Sequence, residues 1–95
     1  MASIEELPIP EAVIAANQKA EMARIWLADG NQIVTLSSRL WDDPGAWGLM
    51  LVDLAKHVAR AYEGLGLNAN ESLNRIRSAM DAEWAAPTDD SLKRQ

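Results

Sequence analysis

The chain has 95 residues, 48% apolar and 24% charged, with a formal charge of −5 and no cysteine. That length supports one hydrophobic core and not two, while the missing cysteine excludes disulfides, thiolate nucleophiles and cysteine-bound zinc. Scattered Lys and Arg in an acidic chain argue against nucleic acid as a partner, because binding a phosphate backbone needs concentrated positive charge.

The N-terminus carries no basic stretch, and Pro8 and Pro10 fall where a secretory signal would need continuous helix. The longest uncharged runs, residues 30–38 and 44–52, have nine residues each, against about 20 for a membrane span. The expected setting is therefore the cytoplasm, with no membrane partner.

Residues 1–20 read as a leader. Leu7-Pro8-Ile9-Pro10 is expected to be extended, and Pro10 can open a short helix through Glu11, Val13, Ile14 and Ala15. A single α+β domain is then expected over 21–86, comprising a hairpin at 21–37 and helices at 44–63 and 69–85, before a disordered tail at 87–95.

In the hairpin, Ala23, Ile25 and Leu27 alternate with Arg24 and Trp26, which is the period of a strand. The chain reverses at Asp29-Gly30-Asn31, where either Asp29-Gly30 or Gly30-Asn31 can form a type I′ turn. The first register sets Ile25 opposite Val34. The second sets Leu27 opposite Val34 and Ile25 opposite Leu36, and its apolar pairing is the better of the two.

Asp43 can cap the helix that follows, with Pro44 in its first turn and Gly64 as a left-handed stop. At 100° per residue, Leu51, Leu54, Val58, Ala61 and Leu65 lie within about 40° of Trp47 and form the expected core stripe. Small residues on one flank, Gly48, Ala55 and Ala59, suit close approach of another helix, and the stripe itself can lie on the hairpin. Asn68-Ala69-Asn70-Glu71 has the spacing of a capping box. The second helix should bury Ala69, Leu73, Ile76, Met80 and Trp84, with Arg75 and Arg77 on a solvated face.

A lone two-stranded hairpin is marginal in water and has open edges. A homodimer that extends the sheet through a symmetry mate is the simplest cover; a third strand from Leu7 to Ile9 is the rival, which Pro8 and Pro10 disfavour. The face carrying Arg24, Trp26, Ile33 and Thr35 is expected to be covered by Val13 and Ile14 of the leader or by a partner chain. Arg24, Trp26, Ile33 and Trp41 are thus the interaction candidates.

His57 is the one histidine, and Asp53 stands one turn before it. A carboxylate-oriented general base is the catalytic reading. The plainer reading is a histidine at the edge of a solvated face, favoured because no nucleophile or oxyanion motif accompanies the pair. Trp47 and Trp84 fall on helical stripes and read as core, whereas Trp26 and Trp41 are open to a partner or ligand. Asp42-Asp43 lacks a spaced third metal ligand, Gly45 and Gly48 do not form a phosphate loop, and no cofactor motif is present.

Three segments carry a resemblance. They are Ala23 to Gly30, Trp41-Asp42-Asp43-Pro44-Gly45-Ala46-Trp47-Gly48 and Leu51 to Ala59, with the Trp-x-x-Pro-x-x-Trp-Gly run the most distinctive. Over most of its length from the hairpin onward, the chain resembles short proteobacterial domains of unknown function. The resemblance implies a stand-alone bacterial cytoplasmic domain with no assigned activity, cofactor or catalytic residue. The reading that follows is a non-enzymatic interaction or regulatory module forming a homodimer. The alternative is a small-ligand-binding protein or a small enzyme using His57 and Asp53.

Overall fold

The computed structural model describes residues 4–87. The elements are helix α1 (Glu11–Ala15), strands β1 (Ala23–Ala28) and β2 (Asn31–Leu36), and helices α2 (Gly45–Glu63) and α3 (Ala69–Ala85). This is the expected α+β order of an antiparallel hairpin followed by two helices. The chain divides into two compact units, one ending at Asp42 and the next beginning at Asp43. The tail expected over 87–95 lies, from residue 88 onward, outside the described residues.

In the first unit, Pro10 is extended (φ −62°, ψ 147°) and its carbonyl accepts from Val13 and Ile14, opening the single turn of α1. β1 and β2 pair antiparallel, with Ile25 opposite Val34, Trp26 opposite Ile33 and Leu27 opposite Gln32. This is the Asp29-Gly30 register, and it corrects the expectation that apolar matching would select Gly30-Asn31. Asp29 has φ 50° and Gly30 φ 78°, so glycine occupies the second central position of a type I′ turn and aspartate, which tolerates the left-handed region, the first. Turn chemistry outweighs one apolar pair, and Leu27 is left opposite a glutamine. Among the described residues the sheet has two strands, so Leu7 to Ile9 adds no third strand.

In the second unit, Asp43 Oδ1 accepts from the Gly45 amide at 2.9 Å, and Pro44 is helical, opening α2. The end of α2 departs from expectation. Gly64 keeps right-handed helical angles, and the left-handed residue is Gly66, at φ 95°. Leu67 N–H donates to Tyr62 O at 3.1 Å and Gly66 N–H to Glu63 O at 3.0 Å, the paired bonds of a Schellman closure with glycine at its left-handed position. Asn68 then caps α3, its Oδ1 accepting from the Glu71 amide at 3.0 Å.

α2 packs against α3, and the sector of α2 that this unit buries is the small-residue flank. Ala59 is 2% exposed and Ala55 half-buried. The stripe expected to be core is open: Leu51, Leu54, Val58 and Leu65 are all exposed. One helical partner covers one sector, and it approaches closest where side chains are smallest. α3 half-buries Ala69, Leu73 and Ile76, but Met80 is exposed and Trp84 is 88% exposed. Trp84 is therefore not a core residue of this chain, a second correction to the stripe reading. Trp47 is half-buried.

Candidate functional site

The first unit contains a groove of about 510 Å³ between the leader and β1. Leu7, Ile9 and Val13 form its leader wall, with Arg24 and Trp26 on the strand side. The leader can follow this path because alternate prolines at 8 and 10 keep it extended. Trp26 is half-buried, and it is the largest apolar side chain on the strand side of the groove.

Charged side chains join the leader to β1. Arg24 Nη1 donates to Glu6 Oε2 at 3.2 Å, and Arg24 Nε donates to Glu21. The hydrogen bond to Glu21, then the charge of Glu21, and the charge of Glu6 raise the Arg24 pKa above its ordinary value. Lys19 Nζ donates to the Ile14 carbonyl at 2.7 Å, tying the chain after α1 back onto the helix. The groove is lined by apolar residues of the leader and strand together with Glu5, Glu6, Lys19, Glu21 and Arg24, the guanidinium meeting two of these carboxylates.

Arg24 and Trp26 lie together in this groove, while Ile33, paired across the ladder with Trp26, is exposed. Of the two leader residues expected to cover this face, Val13 lines the groove, and Ile14 is largely exposed and contributes its carbonyl to Lys19. Trp41 lies in the loop before α2 at 37% exposure. Sequence reasoning missed Glu6, Glu21, Leu7 and Ile9. The available signals were a glutamate three residues before Arg24 and two apolar residues alternating with proline in a stretch read as a leader or a rival third strand.

Asp53 and His57 are both exposed on α2, and no hydrogen bond joins them. Among the described residues, no group of three or more His, Asp and Glu side chains is placed to hold a metal ion. No helix among them is long and apolar enough to cross a membrane.

Comparison with known proteins adds a family and a fold. The family model described as a domain of unknown function, DUF5076, matches residues 6–88. A solved structure from the photosynthetic bacterium Rhodopseudomonas palustrus CGA009, provisionally described as a pyruvate dehydrogenase, is similar to this chain at 34% identity and a TM-score of 0.71. The match covers 94% of this chain and 92% of that one. No curated protein matches.

Proposed function

For this chain, which belongs to the DUF5076 family of unknown function, we propose a role as a non-enzymatic interaction module that works as a homodimer in the bacterial cytoplasm, without binding nucleic acid or membrane. One observation carries the reading. Ala59 is the buried apolar residue of the described chain, while Ile25, Leu27, Leu36, Leu51, Leu54 and Leu65 remain exposed. Domains of this size remove well over half of their unfolded surface from water, and large contiguous apolar patches mark association surfaces. The Ile25, Leu27 and Leu36 face of the hairpin and the long stripe of α2 offer exposed apolar surface, and a two-fold contact covers them with one gene product.

Native mass spectrometry with sedimentation across a concentration series tests this. Twice the chain mass and a melting temperature that rises with concentration are expected. A monodisperse monomer at high concentration refutes the proposal.

A second reading rests on the groove. Its volume falls in the range of small-molecule sites, and its apolar walls favour an apolar ligand. A reproducible small adduct in the same mass spectra would favour it. The pyruvate dehydrogenase description of the similar structure points toward an enzyme, but oxidative decarboxylation of a 2-oxo acid depends on a cofactor that stabilises a carbanion. Asp53 and His57, exposed and unjoined, offer no site built around one. Assay with pyruvate, thiamine diphosphate and an electron acceptor is expected to show no turnover.

A further inference from the structure

We infer that the seam of the homodimer is the outer edge of β2, which pairs antiparallel with β2 of a second copy to make a continuous four-stranded sheet. The inference rests on the homodimer reading and names the strand that carries it.

The ladder fixes which backbone groups face outward. Ser37 N–H donates to Met22 O at 2.9 Å. Residues 22 and 37 are therefore a hydrogen-bonded pair, and with the observed register the next such pairs are Arg24 with Thr35, Trp26 with Ile33 and Ala28 with Asn31. The intervening residues direct N–H and C=O away from the partner strand. On β2 these include Val34 and Leu36, and on β1 Ala23, Ile25 and Leu27.

The two strands differ in what lies against them. The leader lies against β1: Glu6 bonds the Arg24 side chain, and residues 5–10 line the groove with Ala23 to Trp26. Among the described residues, β2 has no strand on its outer side, and all six of its residues are exposed. Its sequence, Asn31-Gln32-Ile33-Val34-Thr35-Leu36, contains no charge and no proline, so it lacks the devices that normally keep edges apart. β1 carries Arg24, whereas β2 against β2 sets no like charges opposite one another, although each chain has a formal charge of −5.

A two-fold axis at Thr35 sets Val34 opposite Leu36 of the second copy and Leu36 opposite its Val34. Both are outward-facing pairs, and together they form four backbone hydrogen bonds. Residues opposite each other share a face, so Val34 and Leu36 extend the Ile25 and Leu27 surface across the axis.

Proline provides the test. At Val34 it removes an N–H that the hairpin does not use, a position an edge strand tolerates. Val34→Pro is expected to retain the hairpin and weaken dimerisation at least tenfold by sedimentation. Ile25→Pro, which removes the equivalent outward N–H from β1, is expected to leave the dimer. Hydrogen exchange on the unaltered protein decides the matter if a variant fails to fold: Val34 and Leu36 amides are expected to be protected to the level of Ile33 and Thr35, and Ile25 and Leu27 amides to exchange faster. A dimer in which Val34 and Leu36 exchange as fast as Ile25 and Leu27, or in which folded Val34→Pro associates as tightly as wild type, overturns the β2 seam and leaves the homodimer standing. A wild-type monomer overturns both.

Discussion

Arg24 and Glu6, eighteen residues apart, meet at 3.2 Å, and the same guanidinium also holds Glu21. This contact joins the leader to the hairpin. Both Arg24 and Glu6 are largely solvent-exposed, so salt should screen the pairing. Arg24→Ala, or high salt on the wild type, is expected to release the leader: amide exchange at Val13 and Ile14 accelerates and Trp26 emission shifts to the red, with β1 and β2 still paired. A leader that stays protected in Arg24→Ala would show that apolar contacts alone hold it. Because the guanidinium pKa is raised, its contribution is present below the ordinary arginine value and is lost only as pH rises through the folded one. Docking should not change between neutral and mildly alkaline pH on this account.

The turn can be tested without touching any packing. A Cβ added at Gly30 would meet nothing within 4 Å, but φ is +78°. Gly30→Ala is therefore expected to cost about 1–2 kcal/mol through backbone strain alone, read by urea denaturation. Asp29→Gly should stay within a few tenths of wild type. If Gly30→Ala were neutral, the turn would have to adopt a different type in solution.

Asn68 accounts for one orphan amide of α3. Asn68→Ala is expected to lower stability by about 1 kcal/mol, while Asn70→Ala, two residues on, is expected to have a smaller effect. Equal losses at the two sites would argue that the cap contributes nothing.

Trp84, at 88% exposure, is expected to be open to iodide quenching, and Trp84→Ala to change stability by less than about 0.5 kcal/mol. Trp47→Ala should cost several times more, since Trp47 is half-buried near the start of α2. Quenching confined to the other tryptophans would place Trp84 in an interface.

What could be read from the sequence were the features set by neighbours along the chain. Asp43, Pro44, Asn68 and the alternation of Ala23, Ile25 and Leu27 act within one turn or one strand, and the structure has each element where these residues place it. Register was harder, because both turns leave the same residues on each face; left-handed φ at Asp29 and Gly30, rather than apolar pairing, decided it. Gly64 and Gly66 present the same problem two residues apart, and the Tyr62 and Glu63 carbonyls settle it in favour of Gly66. The helical stripes were misread for another reason. Periodicity identifies an apolar face but not whether the chain has a partner for it, so Leu51, Leu54 and Trp84 looked like core and are exposed. The groove depends on Glu6 reaching Arg24 across the leader, a contact that no local pattern announces.

The uncharged, proline-free composition of β2 has a cost outside the folded state. A six-residue segment of high β-propensity with no charge fits the make-up of a steric zipper, which stacks on copies of itself without limit. Asp29 before the strand and Arg39 after it are the nearest charged gatekeepers. While the Asp29-Gly30 turn holds β2 against β1, one side of the strand is used and pairing can end at two copies. Once the turn opens, both sides are available, and self-recognition that would close a dimer becomes open-ended polymerisation.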